Sequence, residues 1–560
     1  MTSPLTPGSE SPYQEFARDP NDEYERDGLG RLFQTPMTMI DGHGSVLYET
    51  EDFQLLYQIV DENDTKALEQ YLTIAPWAVP KASAILDEHQ TVCDVEDYFL
   101  NAAQCGRLDA LKMLLAHCIK DEDPSIQVRF KRRRYELLNE AARWGQIEVV
   151  HFLLDNQPLY ANIQERDPKG YTAIASAADF YSTQFLVSPH GEMVNPLKNE
   201  AVMNLLLDRG ACASDLVLQE NHEGKPSDTV LTLTVQWGDS EIIKRLIDDG
   251  ADVHAKVTKG PWESNFWNQR DSFFEVNALF VACTHANPSA VQSLIDCRGE
   301  GVDLAEMIRS QDSRGSLPIH WATQSALPEE TESFTASAID ERARNITITI
   351  GLLLDFDPTA INVQDNDGNT PLHYATRSLS RHDKLYTPVF QLLCDKGGDA
   401  SIRNNKGETP LHTLFLLYDT DTFDTDQAPV DRALISILLA HGANATDVDN
   451  AGNTALHNAA LNLHWTDAVS YLLEQGADPA GRNQKQETAL HRAAYGSYKG
   501  RDSFVKSEER IKVQDDMLAR LVKAGGAQLM DLEDAEGKTP RQICQETRYE
   551  WREDDIPAWS

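Results

Sequence analysis

The chain has 560 residues, more than one hydrophobic core usually organises, which predicts several domains or an array of repeats. Apolar residues make up 41% of it and aromatic residues 8%, enough to build a core, so disorder throughout is excluded. Fifty Lys and Arg against 89 Asp and Glu leave a net charge of −39. Such a surface repels nucleic-acid phosphates and anionic lipid and attracts a basic or extended protein segment, although the charge also serves to keep a long array in solution.

Several other classes of protein are disfavoured by the motifs that the sequence lacks. The eight cysteines form no C-x-x-C pair, so neither a disulfide framework nor a metal site is expected. Residues 1–22 have no apolar core of a signal peptide, and no segment approaches the roughly 18 consecutive apolar residues of a membrane span. We therefore expect an intracellular, cytoplasmic protein without a membrane partner. The mostly polar residues 1–50 are predicted to be disordered, and residues 551–560 to form an acidic tail.

The first predicted elements are helix pairs. Residues 54–72 predict a capping unit, and residues 99–115 and 137–154 each predict a helix–turn–helix, because apolar residues recur at helical spacing. A basic cluster lies between the last two pairs, and it consists of Arg129, Lys131, Arg132, Arg133 and Arg134. This cluster is typical of a nuclear-import signal or of a contact for an acidic partner, which leaves the nucleus open as a location. A solvated loop that balances nearby acids is the alternative.

The middle of the chain keeps the helical pattern less regularly. Residues 169–175 restore a turn and a helix, and later second helices end at Gly210 and Gly250, as a left-handed C-cap requires. Two insertions interrupt the pattern, at residues 179–198 and 256–275.

The insertion at residues 256–275 is rich in aromatic side chains, so we hypothesise an elongated finger that binds a protein partner. The alternative is a local core that covers an irregular neighbouring repeat. For Trp321, packing within its repeat explains a tryptophan at this position as well as contact with a partner does. The candidate binding residues of this region are Tyr181, Trp237, Trp262, Phe266, Trp267, Arg270 and Trp321.

The C-terminal half contains four nearly identical seven-residue motifs, such as D-G-N-T-P-L-H over residues 367–373, and a shortened fifth motif that ends at Pro540. The Gly supplies the positive φ of a turn, the Thr hydroxyl caps a helix, and Pro fits the first helical position. Each of the four motifs contains a Thr followed three residues later by a His. These pairs are Thr370 and His373, Thr409 and His412, Thr454 and His457, and Thr488 and His491.

These motifs resemble the signature of ankyrin repeats, and the resemblance extends over most of the chain. It implies an all-α solenoid over residues 51–550, built of helix-turn-helix units with β-hairpin fingers, in about eleven repeats plus a C-terminal partial one. It also implies that the four histidines hydrogen-bond between neighbouring repeats. At one per repeat they are spaced too widely to share a metal ion. Ankyrin arrays bind partners on a concave face made by fingers and first helices.

The spacing of the motifs along the chain predicts further insertions. Successive threonines at positions 370, 409, 454, 488 and 539 are 39, 45, 34 and 51 residues apart, against a family period of about 33. Insertions are therefore expected near residues 324–343, 417–430 and 495–511. The alternating Asp of the second one lack the Gly and Glu of a calcium loop, so no calcium is expected there.

The functional prediction is a non-catalytic scaffold or adaptor that binds a protein on the concave face. No Walker loop, G-x-S-x-G, H-E-x-x-H or Rossmann fingerprint is present, and no cofactor is expected. The alternative is an enzyme or a biosynthetic-pathway accessory protein, with a small-molecule pocket formed by enlarged fingers around residues 180–325.

Overall fold

The structure is a computed structural model. It describes residues 13–15, 37–41, 46–50, 55–74, 76, 79, 95–120, 122, 128, 136–179, 195–218, 226–259, 273–298, 304–324, 336–379, 386–416, 430–496 and 506–554. The chain divides into two compact units, Met1–Ala255 and Lys256–Ser560. The division falls at the start of the insertion predicted at residues 256–275.

The first unit contains consecutive helix pairs. Their helices are α1 (Leu55–Asp61), α2 (Thr65–Ile74), α3 (Val95–Gln104), α4 (Leu108–Ile119), α5 (Leu137–Arg143), α6 (Ile147–Asp155), α7 (Ala173–Ala178), α8 (Pro196–Asp208), α9 (Val230–Thr234) and α10 (Ser240–Asp248). The first helices α1, α3, α5, α7 and α9 pack in sequence order, and α2 packs on α4 and α6 on α8 in a second layer. The unit thus buries one apolar face of each helix between two layers.

The helices of the second unit are also arranged in two layers. Its helices are α11 (Ala278–Thr284), α12 (Pro288–Asp296), α13 (Leu304–Ile308), α14 (Pro318–Thr323), α15 (Ala336–Phe356), α16 (Pro371–Ser378), α17 (Thr387–Asp395), α18 (Pro410–Leu414), α19 (Arg432–Ala440), α20 (Ala455–Leu461), α21 (Thr466–Glu474), α22 (Ala489–Tyr495), α23 (Ser507–Gly525) and α24 (Pro540–Asp554). First helices α11, α14, α16, α18, α20, α22 and α24 form one layer, and second helices α12, α15, α17, α19, α21 and α23 form the other. Short 3₁₀ turns lie at Pro358–Asn362, Leu463–Trp465 and Ala527–Asp531. The predicted all-α repeat fold is confirmed.

Strands are short and confined to three antiparallel sheets among the described residues. They are β1 (Tyr13–Glu15), β2 (Met37–Asp41), β3 (Val46–Thr50), β4 (Leu216–Val217), β5 (Asp228–Thr229), β6 (Val257–Lys259) and β7 (Phe273–Val276). β2 pairs with both β1 and β3, β4 pairs with β5, and β6 pairs with β7. The strands β6 and β7 lie at the two ends of the insertion predicted at residues 256–275.

Three segments add local detail. Within the N-terminal 50 residues, the described ones form the strands β1–β3. Helices α15 and α23 begin inside the insertions predicted at residues 324–343 and 495–511, so part of the extra length extends second helices. Helix α24 continues past residue 550 into the predicted acidic tail, where Trp551 is buried.

Candidate functional site

The fingers of the second unit are each closed by one Asp or Asn side chain. Asp365 Oδ1 accepts the backbone N–H groups of residues 367 and 369 at 3.0 and 2.8 Å. Asn404 Oδ1 does the same for residues 406 and 408 at 2.9 and 3.0 Å. Gly407 then follows at a φ of 76°, a conformation that residues with a Cβ rarely adopt. This local closure holds each finger against its own first helix.

The signature histidines, defined as His373, His412, His457 and His491, join neighbouring repeats. The Nδ1 atom of His373 accepts the Thr370 backbone N–H at 3.1 Å and lies 2.8 Å from the Thr370 hydroxyl. Since Nδ1 is an acceptor, the ring proton is on Nε2, which donates to the Glu408 carbonyl of the next repeat at 3.0 Å. The other three repeat this geometry, with next-repeat carbonyls at Asp447, Glu487 and Leu532.

These imidazoles are held in the neutral form by burial. Burial is the main cause that lowers the pKa of His373 to about 4; the hydrogen bond to the Glu408 carbonyl acts in the opposite direction, and His412 and His320 contribute to the lowering. The pKa values of His412, His457 and His491 are also lowered, in each case mainly by burial. A neutral ring with both nitrogens engaged in the protein is a structural element of the repeat rather than a proton carrier.

The space beside each finger depends on the fourth residue after the N-cap of the first helix, and this N-cap is Leu317 in α14 and a signature threonine (Thr370 or Thr409) in α16 and α18. In α14 and α16 the fourth residue is large: Trp321 Nε1 donates to Asp312 Oδ2 at 2.9 Å, and the Tyr374 hydroxyl donates to Asp365 Oδ2 at 2.5 Å. In α18 it is Thr413, whose short side chain bonds to the Thr376 hydroxyl at 2.7 Å. The change from an aromatic ring to Thr leaves a space between neighbouring repeats.

That space is a cavity of about 440 Å³ between the repeats of α16 and α18. We call it the finger groove, and its lining residues are Asp367, Asn369, His373, Tyr374, Arg377, Asn404, Asn405, Lys406, Glu408, Thr413 and Leu416. Its rim is formed by exposed Asp367, Asn405 and Lys406 at the finger tips. Its floor is formed by buried side chains, so a bound group meets fixed partners.

The floor of the finger groove is polar and held by hydrogen bonds. Asn404 Nδ2 donates to Asn369 Oδ1 at 3.0 Å and to Glu408 Oε2 at 2.8 Å. Glu408 is only 8% exposed. The groove therefore presents the fixed Glu408 carboxylate below a rim that carries one negative and one positive side chain, Asp367 and Lys406.

The candidate residues named from the sequence fall into three groups. Tyr181, Trp262, Phe266, Trp267 and Arg270 lie outside the described residues, as does the basic cluster of residues 129–134. In the first unit, Trp237 is half-buried and its indole N–H donates to the Ala178 carbonyl at 2.7 Å. In the second unit, Trp321 is 3% exposed, and its ring packs edge-on against Phe280 of the preceding first helix. The finger groove was not predicted from the sequence.

A buried charge cluster lies in the first unit. Arg143 places its guanidinium 3.5 Å from Asp179 and 3.8 Å from Asp167, and 5.4 Å over the Tyr171 ring. Burial raises the pKa of Asp167, although Arg143 and backbone donors act in the opposite direction. All of these partners are internal, so we interpret the cluster as packing between α5 and α7.

Two further searches returned nothing among the residues that the structure describes. No group of three or more His, Cys, Asp or Glu there is placed to hold a metal ion. No helix in the described part is long and apolar enough to cross a bilayer.

Comparison with known families identifies the repeats. The family model for ankyrin repeats in three copies matches residues 428–515, and the model for a single ankyrin repeat matches residues 367–405. Both matches fall on the helix pairs and fingers described above. The chain is an ankyrin-repeat protein, and ankyrin repeats support a role as a protein-interaction scaffold.

Several curated proteins share part of the chain. An intracellular phospholipase A2 of Caenorhabditis elegans is 26% identical over 274 residues, which are 45% of this chain and 22% of that protein. The putative ankyrin repeat protein L371 of Acanthamoeba polyphaga mimivirus is 28% identical, over 23% of this chain and 15% of its own length. The human neurogenic locus notch homolog protein 1 is 28% identical, over 35% of this chain and 7% of its own. The chain thus spans less than a quarter of each of these relatives.

Proposed function

We propose that this chain is a non-catalytic adaptor that binds an extended segment of a partner protein along the fingers and first helices of its second unit. The observation that carries the proposal is the finger groove. It opens between two repeats, on the side that the fingers and first helices share, and it has an exposed rim over a fixed floor.

An extended segment suits this groove because polar groups lie both at its rim and along its lining. The carboxamides of Asn369 and Asn405 and the charged tips of Asp367 and Lys406 can bond to a peptide backbone. Leu416 adds an apolar wall at one end. A cavity of about 440 Å³ holds one or two side chains, so the remainder of the segment lies across neighbouring repeats.

The charge of the chain favours a partner with basic residues. A net charge of −39 raises the encounter rate with positively charged segments at low ionic strength. The role remains that of a binding module, which agrees with what ankyrin repeats do in general.

The test is a selection of displayed 12-residue peptides against the full chain, followed by measurement of their affinities by fluorescence anisotropy. The groove is then blocked by the double substitution Asp367→Trp and Lys406→Trp, two exposed rim residues with no side-chain hydrogen bond to another described residue. Gln391→Trp, exposed on the second helix α17, is the control.

We expect the rim substitutions to weaken the selected peptides at least about tenfold, which is about 1.4 kcal/mol. The control should bind as the wild type does. Equal binding by the blocked chain would overturn the finger groove as the recognition surface.

A further inference from the structure

The chain contains two buried glutamates at equivalent positions of different repeats, and their surroundings differ. Glu408 and Glu487 each precede a signature threonine, and each accepts a hydrogen bond of 2.8 Å from the Asn four residues earlier. They are 8% and 6% exposed. The repeats therefore provide an internal comparison of one carboxylate in two settings.

Glu487 has a cation of its own. Arg492 Nη1 lies 3.8 Å from Glu487 Oε2, and Arg492 is the fourth residue after Thr488. The equivalent position after Thr409 is Thr413, which carries no charge. Among the residues that the structure describes, no Lys or Arg nitrogen lies within 4 Å of the Glu408 carboxylate.

The place that Arg492 fills in one repeat is empty space in the other. Thr413 lines the finger groove together with Glu408, so the cavity lies where a longer side chain at position 413 would reach. A buried carboxylate without a cation is costly, and a ligand cation that enters the groove removes that cost.

We propose that Glu408 is the residue that recognises the bound segment, by pairing with a Lys or Arg side chain that enters the finger groove. The partner's cation takes the position that Arg492 occupies beside Glu487. This inference rests on the proposed function, since it names the chemistry of the segment that the groove accepts.

The remaining lining residues refine this preference. Tyr374 lines the same cavity, and an aromatic side chain is a favourable neighbour for a cation. Arg377 and Lys406 also line it, so a run of basic residues would be repelled. The preferred segment places one Lys or Arg in the groove, and the neighbours of that residue in the segment are neutral.

The test measures the selected peptides against Glu408→Gln and against the matched control Glu487→Gln. Glutamine keeps the shape of the side chain and can still accept the Asn404 hydrogen bond, so Glu408→Gln should fold with a melting temperature no lower than that of the wild type. We expect it to bind Lys- or Arg-containing peptides at least about tenfold more weakly, and to bind their Lys→Gln or Arg→Gln derivatives as the wild type does. Glu487→Gln should melt lower, because it leaves Arg492 unpaired, and should bind peptides normally.

A second variant supplies the cation within the chain. Thr413→Arg combined with Thr376→Ala reproduces the Arg492 and Ala460 that stand at the equivalent positions of α22 and α20. It should fold and lose binding of the basic peptides.

The outcomes separate the two proposals. Peptides that lose affinity to the Asp367→Trp, Lys406→Trp chain but show no preference for Lys or Arg would overturn the role of Glu408 and keep the groove as a binding surface. Basic peptides that bind Glu408→Gln as tightly as the wild type would overturn it too. Peptides indifferent to the blocked rim would overturn both.

Discussion

The buried signature histidines make the stability of the second unit depend on pH. The perturbation that isolates this effect is His373→Gln. In the wild type the His373 ring accepts at Nδ1 and donates from Nε2, so protonation removes the acceptor and places a charge in a buried position. Glutamine does not titrate, so the variant lacks this contribution.

The magnitude follows from the two pKa values. Burial depresses the pKa of His373 from 6.5 to about 4 in the folded chain. The unfolded chain therefore binds more protons between pH 6.5 and about 4, and the free energy of unfolding falls as the pH is lowered through this range. At about 1.36 kcal/mol per pKa unit, the full loss is about 3 kcal/mol, of which about 2 kcal/mol is lost between pH 7 and pH 5.

The assay is urea unfolding of the wild type and His373→Gln, followed by circular dichroism at pH 7 and pH 5. The variant should be the less stable chain at pH 7, because two hydrogen bonds are lost. The gap should narrow by about 2 kcal/mol at pH 5, since the carboxylates that also titrate are common to both chains.

Thr370→Ala is the control, because it removes the hydroxyl that bonds to His373 Nδ1 but keeps the titrating ring. Its pH dependence should parallel that of the wild type. A stability gap between wild type and His373→Gln that stays constant from pH 7 to pH 5 would refute the reasoning, as would an NMR titration that places His373 near 6.5.

Three further perturbations test the packing. Tyr374→Phe should cost about 1–3 kcal/mol in thermal unfolding, because it deprives the Asp365 carboxylate of its phenol donor; a neutral result would mean that water replaces the hydroxyl. Arg143→Met should destabilise the first unit by about 3–5 kcal/mol at pH 7 and by less at pH 5, since Asp167 has a raised pKa and protonates readily; equal losses at both pH values would contradict this. Gly407→Ala should lower the melting temperature more than Gly210→Ala: both need positive φ, but only at 407 would a Cβ meet a backbone nitrogen, at 2.8 Å.

The regular parts of the repeats could be predicted from the sequence because their determinants are local. The turn Gly, the threonine at the helix start and the histidine three residues later interact within a few positions of one another. His457 illustrates this, because its Nδ1 bonds to Thr454 of its own repeat. Its Nε2 contact with the next repeat then follows from stacking.

The candidate site was harder to predict because burial is a property of the stack. Trp321 is a residue type that is common at interfaces, and in the structure its indole is buried against Phe280 of the preceding repeat and donates to Asp312. Thr413 had no distinguishing composition, yet its small size opens the finger groove. The aromatic residues of the 256–275 insertion stay a prediction, as does the number of repeats.

The sequence by itself determined the ankyrin-repeat architecture, because hairpin turns, helix starts and apolar stripes are set by short-range backbone and solvation preferences that recur in each copy. Only the tertiary structure decided where the chain divides into units and which side chains remain accessible. It also decided that Glu408 faces a cavity. Those outcomes depend on residues 30 or more positions apart that meet only when neighbouring repeats stack, so no local pattern encodes them.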